Sequence, residues 1–183
     1  MLIVKTVTEK EELEQIHRLN QENLKQNLSI EELSGQGFVT WLYSMELLKK
    51  MNNLAPSVIV KDNDKVVGYA LVTLQECASF HKDLYTMMDH IKKLAFRNAP
   101  ITSFDFYCMG QICIDKDYRG KGLVKMLYQK HREIYSQRFQ LLVTEISTSN
   151  KRSMNAHNKI GFVDIHTYRD ILDEWNVVVW DWN

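Results

Sequence analysis

The sequence predicts an α/β or α+β fold, in which helices pack against a β-sheet. The first indication is that short, β-rich apolar runs alternate with amphipathic segments along the chain. The second is the absence of repeats, linkers or a break in composition, which predicts a single domain over residues 1–183. The third is a composition of 45% apolar and 25% charged residues, which is typical of a folded protein with a substantial core.

Several apolar, β-branched runs predict strands, and two of them flank Asp62-Asn63-Asp64, whose turn chemistry predicts a hairpin. The predicted strands are 2–7, 57–60, 66–74, 102–114, 141–146, 162–168 and 176–180. Other segments repeat apolar residues at helical spacing; Thr8 is placed to cap the first helix and Gly161 to end the last. The predicted helices are 9–24, a short turn at 30–33, 39–51, 77–96, 123–138 and 150–160.

Charge and cysteine usage argue against several classes of function. The 23 basic and 23 acidic residues cancel, so the chain lacks the basic excess of a nucleic-acid binder and any general attraction to an anionic membrane. The start has no signal-peptide pattern, and no run approaches the roughly 18 apolar residues of a membrane span. Cys77, Cys108 and Cys113 cannot all pair, which predicts buried free thiols in a reducing cytoplasm. No cluster has metal-ligand spacing, so no metal is expected.

The most informative segment is a charged turn that joins an apolar strand to an amphipathic helix. Gly120 and Gly122 stand at the start of that helix, where glycine lets the backbone approach a ligand and the first N–H groups have no internal partner. Together with the helix dipole and the charges of Arg119 and Lys121, such a turn is suited to a phosphate. A solvated turn is the alternative. The Walker and dinucleotide-binding fingerprints are both absent.

Two segments together resemble the GNAT superfamily of acyl-CoA-dependent N-acyltransferases. Tyr118-Arg119-Gly120-Lys121-Gly122-Leu123 is similar to the family's acyl-CoA motif, Gln/Arg-x-x-Gly-x-Gly/Ala. Downstream, at the family's distance, come Asn150-Lys151-Arg152-Ser153, then His157, then Gly161-Phe162. The hairpin over 57–74 is also similar, and the resemblance covers about residues 57–165.

The resemblance implies a three-layer fold, with helices on both faces of a mixed, mostly antiparallel sheet. Two central strands, 102–114 and 141–146, are implied to run parallel and to splay apart. Acetyl-CoA is implied as acyl donor, with its pantetheine arm in that wedge, pairing with the backbone near Ile112 and Ile114. The residues implied to bind it are Ile112, Cys113, Ile114, Arg119, Gly120, Lys121, Gly122, Leu123, Asn150 and Ser153.

The chain departs from the family pattern at three places. Asp117 stands where the family has Gln or Arg, so neighbouring basic residues must supply more of the attraction to phosphate. His157 replaces the tyrosine that often protonates the departing CoA thiolate. Gly110 and Gln111 stand where some members carry an acid as general base.

The implied reaction is direct attack of a primary amine on the thioester. An alkyl ammonium, with a pKa of roughly 10, must first lose a proton. Glu145 is the candidate base, because it is an acid within an otherwise apolar strand. His157, if protonated, is the candidate acid for the thiolate. Structural roles are the alternatives: a solvated or ion-paired Glu145, a packed or capping His157, an N-cap at Asn150 and helix packing at Ser153.

The sequence and the resemblance thus predict a cytoplasmic N-acetyltransferase, a monomer or homodimer, that acts on an unidentified small amine. Three other functions stay open: a non-catalytic acyl-CoA sensor, a protein N-acetyltransferase, and a protein-interaction module that docks through helix 77–96. The resemblance implies that segments 27–51 and 77–100 shape the acceptor site. Its candidate lining residues are Trp41, Tyr43, Tyr85 and Met87.

Overall fold

A seven-stranded sheet organises the molecule. The computed structural model describes residues 1–183, apart from the side chain of Ser34. The strands are β1 (Leu2–Thr6), β2 (Val58–Asp62), β3 (Lys65–Thr73), β4 (Ala95–Phe96), β5 (Ala99–Pro100), β6 (Phe106–Ile114), β7 (Leu141–Ser147), β8 (Val163–Arg169) and β9 (Glu174–Asp181). The helices are α1 (Lys10–Glu22), α2 (Ile30–Gly35), α3 (Met45–Leu54), α4 (Lys82–Lys92), α5 (Leu123–Tyr135) and α6 (Lys151–Ile160). None of the described helices is long and apolar enough to cross a membrane.

The central strands splay apart, as the resemblance implied. The sheet order is β1-β2-β3-β6-β7-β9-β8, and every neighbouring pair is antiparallel except β6 and β7. That parallel pairing ends at Cys108 and Val143. At the apex of the wedge, the Thr144 hydroxyl donates to the Met109 carbonyl over 2.9 Å. Beyond this point the two strands present unpaired edges to each other, so a ligand can enter between them.

Adjacent residues of β3 show that helices cover both faces of the sheet. A Cβ on Gly68 would lie 3.7 Å from Leu127 of α5. Neighbouring side chains of a strand point to opposite faces. On the other face, the Tyr69 hydroxyl donates to Gln111 Oε1 over 2.5 Å, and Gln111 Nε2 donates to the Trp41 carbonyl over 2.8 Å. That carbonyl also accepts from Asn20 Nδ2 of α1 over 3.0 Å, so α1 covers this face. The predicted three-layer arrangement is therefore confirmed.

The prediction of a helix over 39–51 is wrong at its start, and the difference shapes the site. Val39 is extended, because its N–H bonds to the Asn23 carbonyl (2.9 Å) and its carbonyl accepts from the Lys25 N–H (2.8 Å). The helix begins only at Met45, where the Ser44 side chain caps it. Two other predicted segments are longer than the elements observed: α4 covers part of 77–96, and β6 begins at Phe106. All three cysteines are buried and free.

Replacing Gly110 by alanine is expected to lower the free energy of unfolding by about 1–3 kcal/mol, because overpacking a core displaces its neighbours. A Cβ there would collide with Thr73 Oγ1 and lie 2.8 Å from the Tyr43 hydroxyl, which donates to the Gly110 carbonyl. Urea unfolding measures the loss. Gly35→Ala is the control, since a Cβ at Gly35 meets nothing within 4 Å; an equal loss in both variants would contradict the packing argument.

Candidate active site

Two cavities meet at the open end of the wedge. We call the first, of about 720 Å³, the cationic cavity; it lies between the glycine turn, α6 and the segment 35–39. We call the second, of about 750 Å³, the apolar cavity; it lies between β7, α4, the segment 38–43 and the β8–β9 hairpin. Both are large enough for a small-molecule ligand. The residues that line both are Phe38, Val39, Ile112, Asn150, Ser153 and His157.

The glycine turn presents unpaired N–H groups to the cationic cavity. Gly120 and Gly122 have φ of +78° and +81°, a region that only glycine enters at little cost. A Cβ at either position would meet nothing within 4 Å, so the space beside both is open. Among the described residues, the backbone N–H groups of 120–125 have no hydrogen-bond partner. The turn and the start of α5 therefore offer donors and a helix dipole to an anion.

The cationic cavity carries positive charge without a balancing acid. Its described lining residues include Arg119, Lys125, Arg152 and Lys159, and neither Asp nor Glu is among them. Arg119 is partly committed to the protein: its guanidinium donates to the Ile114 carbonyl (3.0 Å), Gln36 Oε1 (2.8 Å) and Asn23 Oδ1 (2.5 Å). Its charge still faces the cavity, where it favours an anionic ligand.

Lys121 lies outside the cationic cavity. Its ammonium sits 4.7 Å from the centre of the Tyr118 ring, and Lys121 does not line the cationic cavity. A cation over an aromatic face is weakly attracted to the ring. The structure thus separates Lys121 from the other residues expected to bind phosphate.

The backbone of β6 faces the wedge at Ile112. The N–H of Asp115 bonds to the Val67 carbonyl of β3 over 2.9 Å. In an antiparallel strand, alternate residues turn their polar groups to alternate sides. Ile112 and Ile114 therefore point their N–H and C=O groups away from β3, into the wedge. Because the Ile114 carbonyl is taken by Arg119, the N–H and C=O of Ile112 are the free groups nearest the junction of the cavities.

Residues 35–39, which we call the strap, form one wall of the cationic cavity and are bonded to the start of α6. Asn150 Nδ2 donates to the Phe38 carbonyl (2.9 Å), while Asn150 Oδ1 accepts from the Ser153 N–H (3.2 Å). Gly37, with φ +71°, brings the strap close, since a Cβ there would lie 3.1 Å from Asn150 Oδ1. Asn150 is thus both the predicted N-cap of α6 and the anchor of the strap. Sequence reasoning missed the strap, because it assigned residues 34–38 to no element.

His157 is buried where the cavities meet, and both of its ring nitrogens are engaged. Its Nδ1 is 2.8 Å from the Ser153 carbonyl, which can only accept, so Nδ1 carries the proton. Its Nε2 therefore accepts from the Tyr128 hydroxyl over 2.6 Å. Burial lowers the pKa of His157 to about 4. The expected protonated imidazole is thus disfavoured near neutral pH, because the site removes the ring from water without offering a carboxylate.

Acidification from pH 6.5 towards 4 is expected to destabilise the fold through His131 and His157. Burial lowers the pKa of each to about 4, whereas unfolded histidine titrates near 6.5. The unfolded chain then binds more protons, so the free energy of unfolding falls with pH, by about 1.4 kcal/mol per pH unit for each group. Glu145 offsets the effect of one of the two histidines. Burial raises its pKa to about 7, so on acidification below pH 7 the folded state binds a proton at Glu145 before the unfolded chain does.

Urea unfolding at pH 4.5 and 6.5 checks this expectation. His157→Gln should lose less stability on acidification than the parent chain. His81→Asn is the control, because His81 is 45% exposed in its side chain and asparagine preserves its place at the start of α4. Equal acid sensitivity in His157→Gln and the parent would show that His157 does not carry the effect.

Glu145 faces the apolar cavity. Leu141 and Val143 lie on the same side of β7 and pack with Met88 and Ile91 of α4. Its side chain is only 12% exposed, and its Oε1 is buried without a hydrogen-bond partner. Burial raises its pKa to about 7; Asp170 adds to the rise and the Tyr168 hydroxyl opposes it. Such a carboxyl changes charge near neutral pH, which suits a general base.

His90 of α4 lies opposite Glu145. Its Nδ1, also buried without a hydrogen-bond partner, is 3.6 Å from Glu145 Oε1. Its ring lies 4.0 Å from that of Tyr168 and 5.6 Å from that of His166, measured between centres. Burial, assisted by His166 and Lys93, lowers the pKa of His90. Sequence reasoning found no role for His90, because only the packing of α4 on β7 brings it to Glu145.

The structure gathers most of the predicted residues at one junction. Those that line the cationic cavity are Ile112, Cys113, Ile114, Arg119, Gly120, Gly122, Leu123, Asn150, Ser153 and His157. Glu145 lines the apolar cavity instead, with Trp41, Tyr43 and Met87. Tyr85 does not line it and is 60% exposed. Lys159 was missed, although its spacing from Arg152 places the two on one face of α6. Among the described residues, no group of His, Cys, Asp or Glu is arranged to hold a metal ion.

The family comparison agrees with this architecture. The model of the acetyltransferase (GNAT) family matches residues 26–162, which is most of the chain. The protein therefore belongs to the GNAT acetyltransferase family. None of the curated proteins matches it in sequence.

Solved structures share the fold at low sequence identity. Ribosomal-protein-S18-alanine N-acetyltransferase from Escherichia coli is 12% identical over 99% of this chain and 94% of that one, with a TM-score of 0.66. An N-acetyltransferase from Staphylococcus aureus Mu50 is 19% identical over 99% and 98%, with a TM-score of 0.63. The structure of yncA from Salmonella typhimurium, solved with its cofactor acetyl-CoA, is 12% identical over 100% of this chain and 94% of that one, with a TM-score of 0.64. At these identities the similarity concerns the fold alone.

Proposed function

We propose that this protein transfers the acetyl group of acetyl-CoA to the primary amine of a small molecule, by direct attack within a ternary complex. The observation that carries the proposal is the junction of two cavities at the splayed strands: one cavity suits a phosphate-bearing donor, and the other suits an acceptor. Family membership supports acetyl transfer. A junction lined from both sides lets the two substrates meet without a covalent enzyme intermediate.

The donor is proposed to occupy the cationic cavity. Its pyrophosphate would lie at Gly120, Gly122 and Leu123, where unpaired N–H groups and the start of α5 favour an anion. The charges of Arg119 and Arg152 would add to that attraction, and Lys121 would contribute only at longer range. These residues fit the group because they offer donors, positive charge and open space with no acid.

The rest of the donor is proposed to follow the wedge inward. The pantetheine amides would pair with the free backbone groups of Ile112, beside Cys113 and Ile114. The thioester would then lie at the junction, between the apex of the wedge and Ser153 and His157 of α6.

The acceptor amine is proposed to enter through the apolar cavity and to lose its proton to Glu145. The ionised carboxylate takes one proton from the ammonium, and the nitrogen lone pair attacks the thioester carbonyl. The new C–N bond forms as the C–S bond breaks. The net change is R–NH₃⁺ plus acetyl-CoA giving the N-acetyl amine, CoA–SH and one proton released to solvent. A base with a pKa near 7 is suited to this transfer at neutral pH.

The departing thiolate is proposed to be stabilised beside His157 and Ser153. Because His157 is neutral near pH 7 and its Nδ1–H is bonded to the Ser153 carbonyl, the available donor is the Ser153 hydroxyl, whose oxygen lies 3.4 Å from Nδ1. A hydrogen bond to developing charge in a buried site lowers the barrier without requiring an imidazolium.

The test is release of CoA thiol from acetyl-CoA in the presence of a broad panel of amines, preceded by thermal unfolding with and without acetyl-CoA. We expect acetyl-CoA to raise the melting temperature and at least one small amine to release CoA in proportion to enzyme. A rise in melting temperature without release on any amine favours the acyl-CoA sensor. Transfer only to peptide amino termini favours a protein N-acetyltransferase. No rise in melting temperature contradicts donor binding altogether.

A further inference from the structure

The apolar cavity differs sharply from the cationic cavity in what it can bind. Its walls are formed by large apolar side chains, among them Trp41, Met87, Met109, Ile146 and Leu172. Three of its described lining residues carry buried polar atoms without a hydrogen-bond partner: Glu145 Oε1 and His90 Nδ1, which lie 3.6 Å apart, and Trp175 Nε1. Buried polar atoms without partners are costly, so such a pair indicates a ligand that satisfies both.

The chemistry of the pair indicates an ammonium group. A carboxylate oxygen can only accept, and a neutral imidazole with its proton on Nε2 accepts at Nδ1. An alkyl ammonium has three N–H donors and can therefore bond to both atoms at once. Its positive charge would also stabilise the ionised form of Glu145, which burial otherwise disfavours.

The remaining charges of the cavity disfavour a carboxylate beside that ammonium. Its described ionisable lining residues include three acids, Asp83, Glu145 and Asp170, and a single arginine. That arginine, Arg169, is 74% exposed in its side chain and already pairs with Glu174 at 3.1 Å. An α-amino acid would thus place its carboxylate near Glu145 with no free cation to balance it.

The wall of α4 disfavours a second ammonium. Asp83 and His90 are seven residues apart, about 10 Å along a helix. Leu84, which is buried, and Met87 lie between them on the lining face of α4. A chain between two ammonium groups would cross this apolar wall to reach Asp83, which is 63% exposed in its side chain and gains little from an ion pair in water. A ligand with an apolar body would instead pack against this wall.

We infer that the acceptor is a primary monoamine with an apolar, aryl-sized body and no carboxylate, whose ammonium is held between Glu145 and His90. This inference rests on the proposed function for the identity of the site as the acceptor site. The amine-binding step itself needs no acetyl transfer, so it is tested separately.

Calorimetric titration of the protein, alone and saturated with CoA, separates the possible ligands. The probes are 2-phenylethylamine, 2-phenylethanol, L-phenylalanine and 1,4-diaminobutane. We expect 2-phenylethylamine to bind at least tenfold more tightly than each of the others. Equal binding of the alcohol would overturn the ammonium site, and equal binding of the amino acid or the diamine would overturn the acceptor class. Failure of every probe to bind would overturn the inference as well.

Variants test the residues named. Glu145→Gln should bring the affinity for 2-phenylethylamine down to that for 2-phenylethanol, whereas Glu133→Gln, which alters an exposed acid of α5, should leave the preference intact. An unchanged preference in a folded Glu145→Gln variant would contradict the inference. Selective amine binding without CoA release in the transfer assay would overturn the proposed function and leave the amine site standing.

Discussion

Replacing Gly122 by alanine is expected to weaken acetyl-CoA binding at least tenfold while the chain stays folded. The residue caps α5 with φ +81°, so a side chain strains the backbone by about 1 kcal/mol. Nothing in the protein lies within 4 Å of the new Cβ, but that space is where the proposed pyrophosphate would approach the N–H groups. Titration of acetyl-CoA into each variant measures the loss.

Gly161→Ala is the matched control for that variant. Gly161 also has positive φ, +113°, and a Cβ there would make an ordinary 3.5 Å contact with Trp180. It lies at the far end of α6 from the strap. We expect a similar loss of stability and an unchanged affinity for acetyl-CoA. Equal affinities in the two variants would contradict the placement of the phosphates at the turn.

Replacing Glu145 by glutamine is expected to reduce kcat/KM by about 10²- to 10⁴-fold, the usual contribution of a general base. In the parent enzyme, kcat/KM should rise with pH through about 7, because only the ionised carboxylate accepts a proton and burial raises its pKa to about 7. Below that pH, activity should fall tenfold per unit. The groups that face Glu145, namely His90, Tyr168 and Asp170, remain in the variant.

The pH profile distinguishes a base from a structural residue. The Glu145→Gln variant should lose the rise in kcat/KM near pH 7 that the parent shows. Glu133→Gln should retain both rate and profile. A Glu145→Gln variant with a lower rate but the same inflection would place the titrating group elsewhere and contradict the role of Glu145.

The family motif predicted which residues line the cationic cavity, because most of them are local in sequence. Gly120, Gly122, Asn150, Ser153 and His157 fall within two short segments, each tied to the start or face of one helix. Their places follow from helix geometry and from the strand that precedes each helix. Lys121 was placed less well, because the direction of a long exposed side chain depends on a neighbour, Tyr118, that spacing does not reveal.

The apolar cavity, which we propose as the acceptor site, depends on long-range packing, and its lining could be predicted only in part. Glu145 was noticed because an acid interrupts an apolar strand. Its partner His90 comes from a helix 55 residues earlier in the chain, and no local pattern links the two. The strap likewise depends on Val39 bonding to the end of α1, a tertiary interaction that overrides the helical pattern predicted from residue 39. The protonation state of His157 follows from burial, which the sequence does not give.

The ratio of N-acetyl amine formed to CoA released tests the central claim most directly. The protein is incubated with acetyl-CoA and an amine that promotes thiol release, and both products are quantified by mass spectrometry, with a parallel reaction that lacks the amine. We predict one N-acetyl amine for each CoA, intersecting initial-rate lines as both substrates are varied, and little release without amine. Release of CoA at the same rate with and without amine, and without an acetylated product, would contradict acetyl transfer at this site.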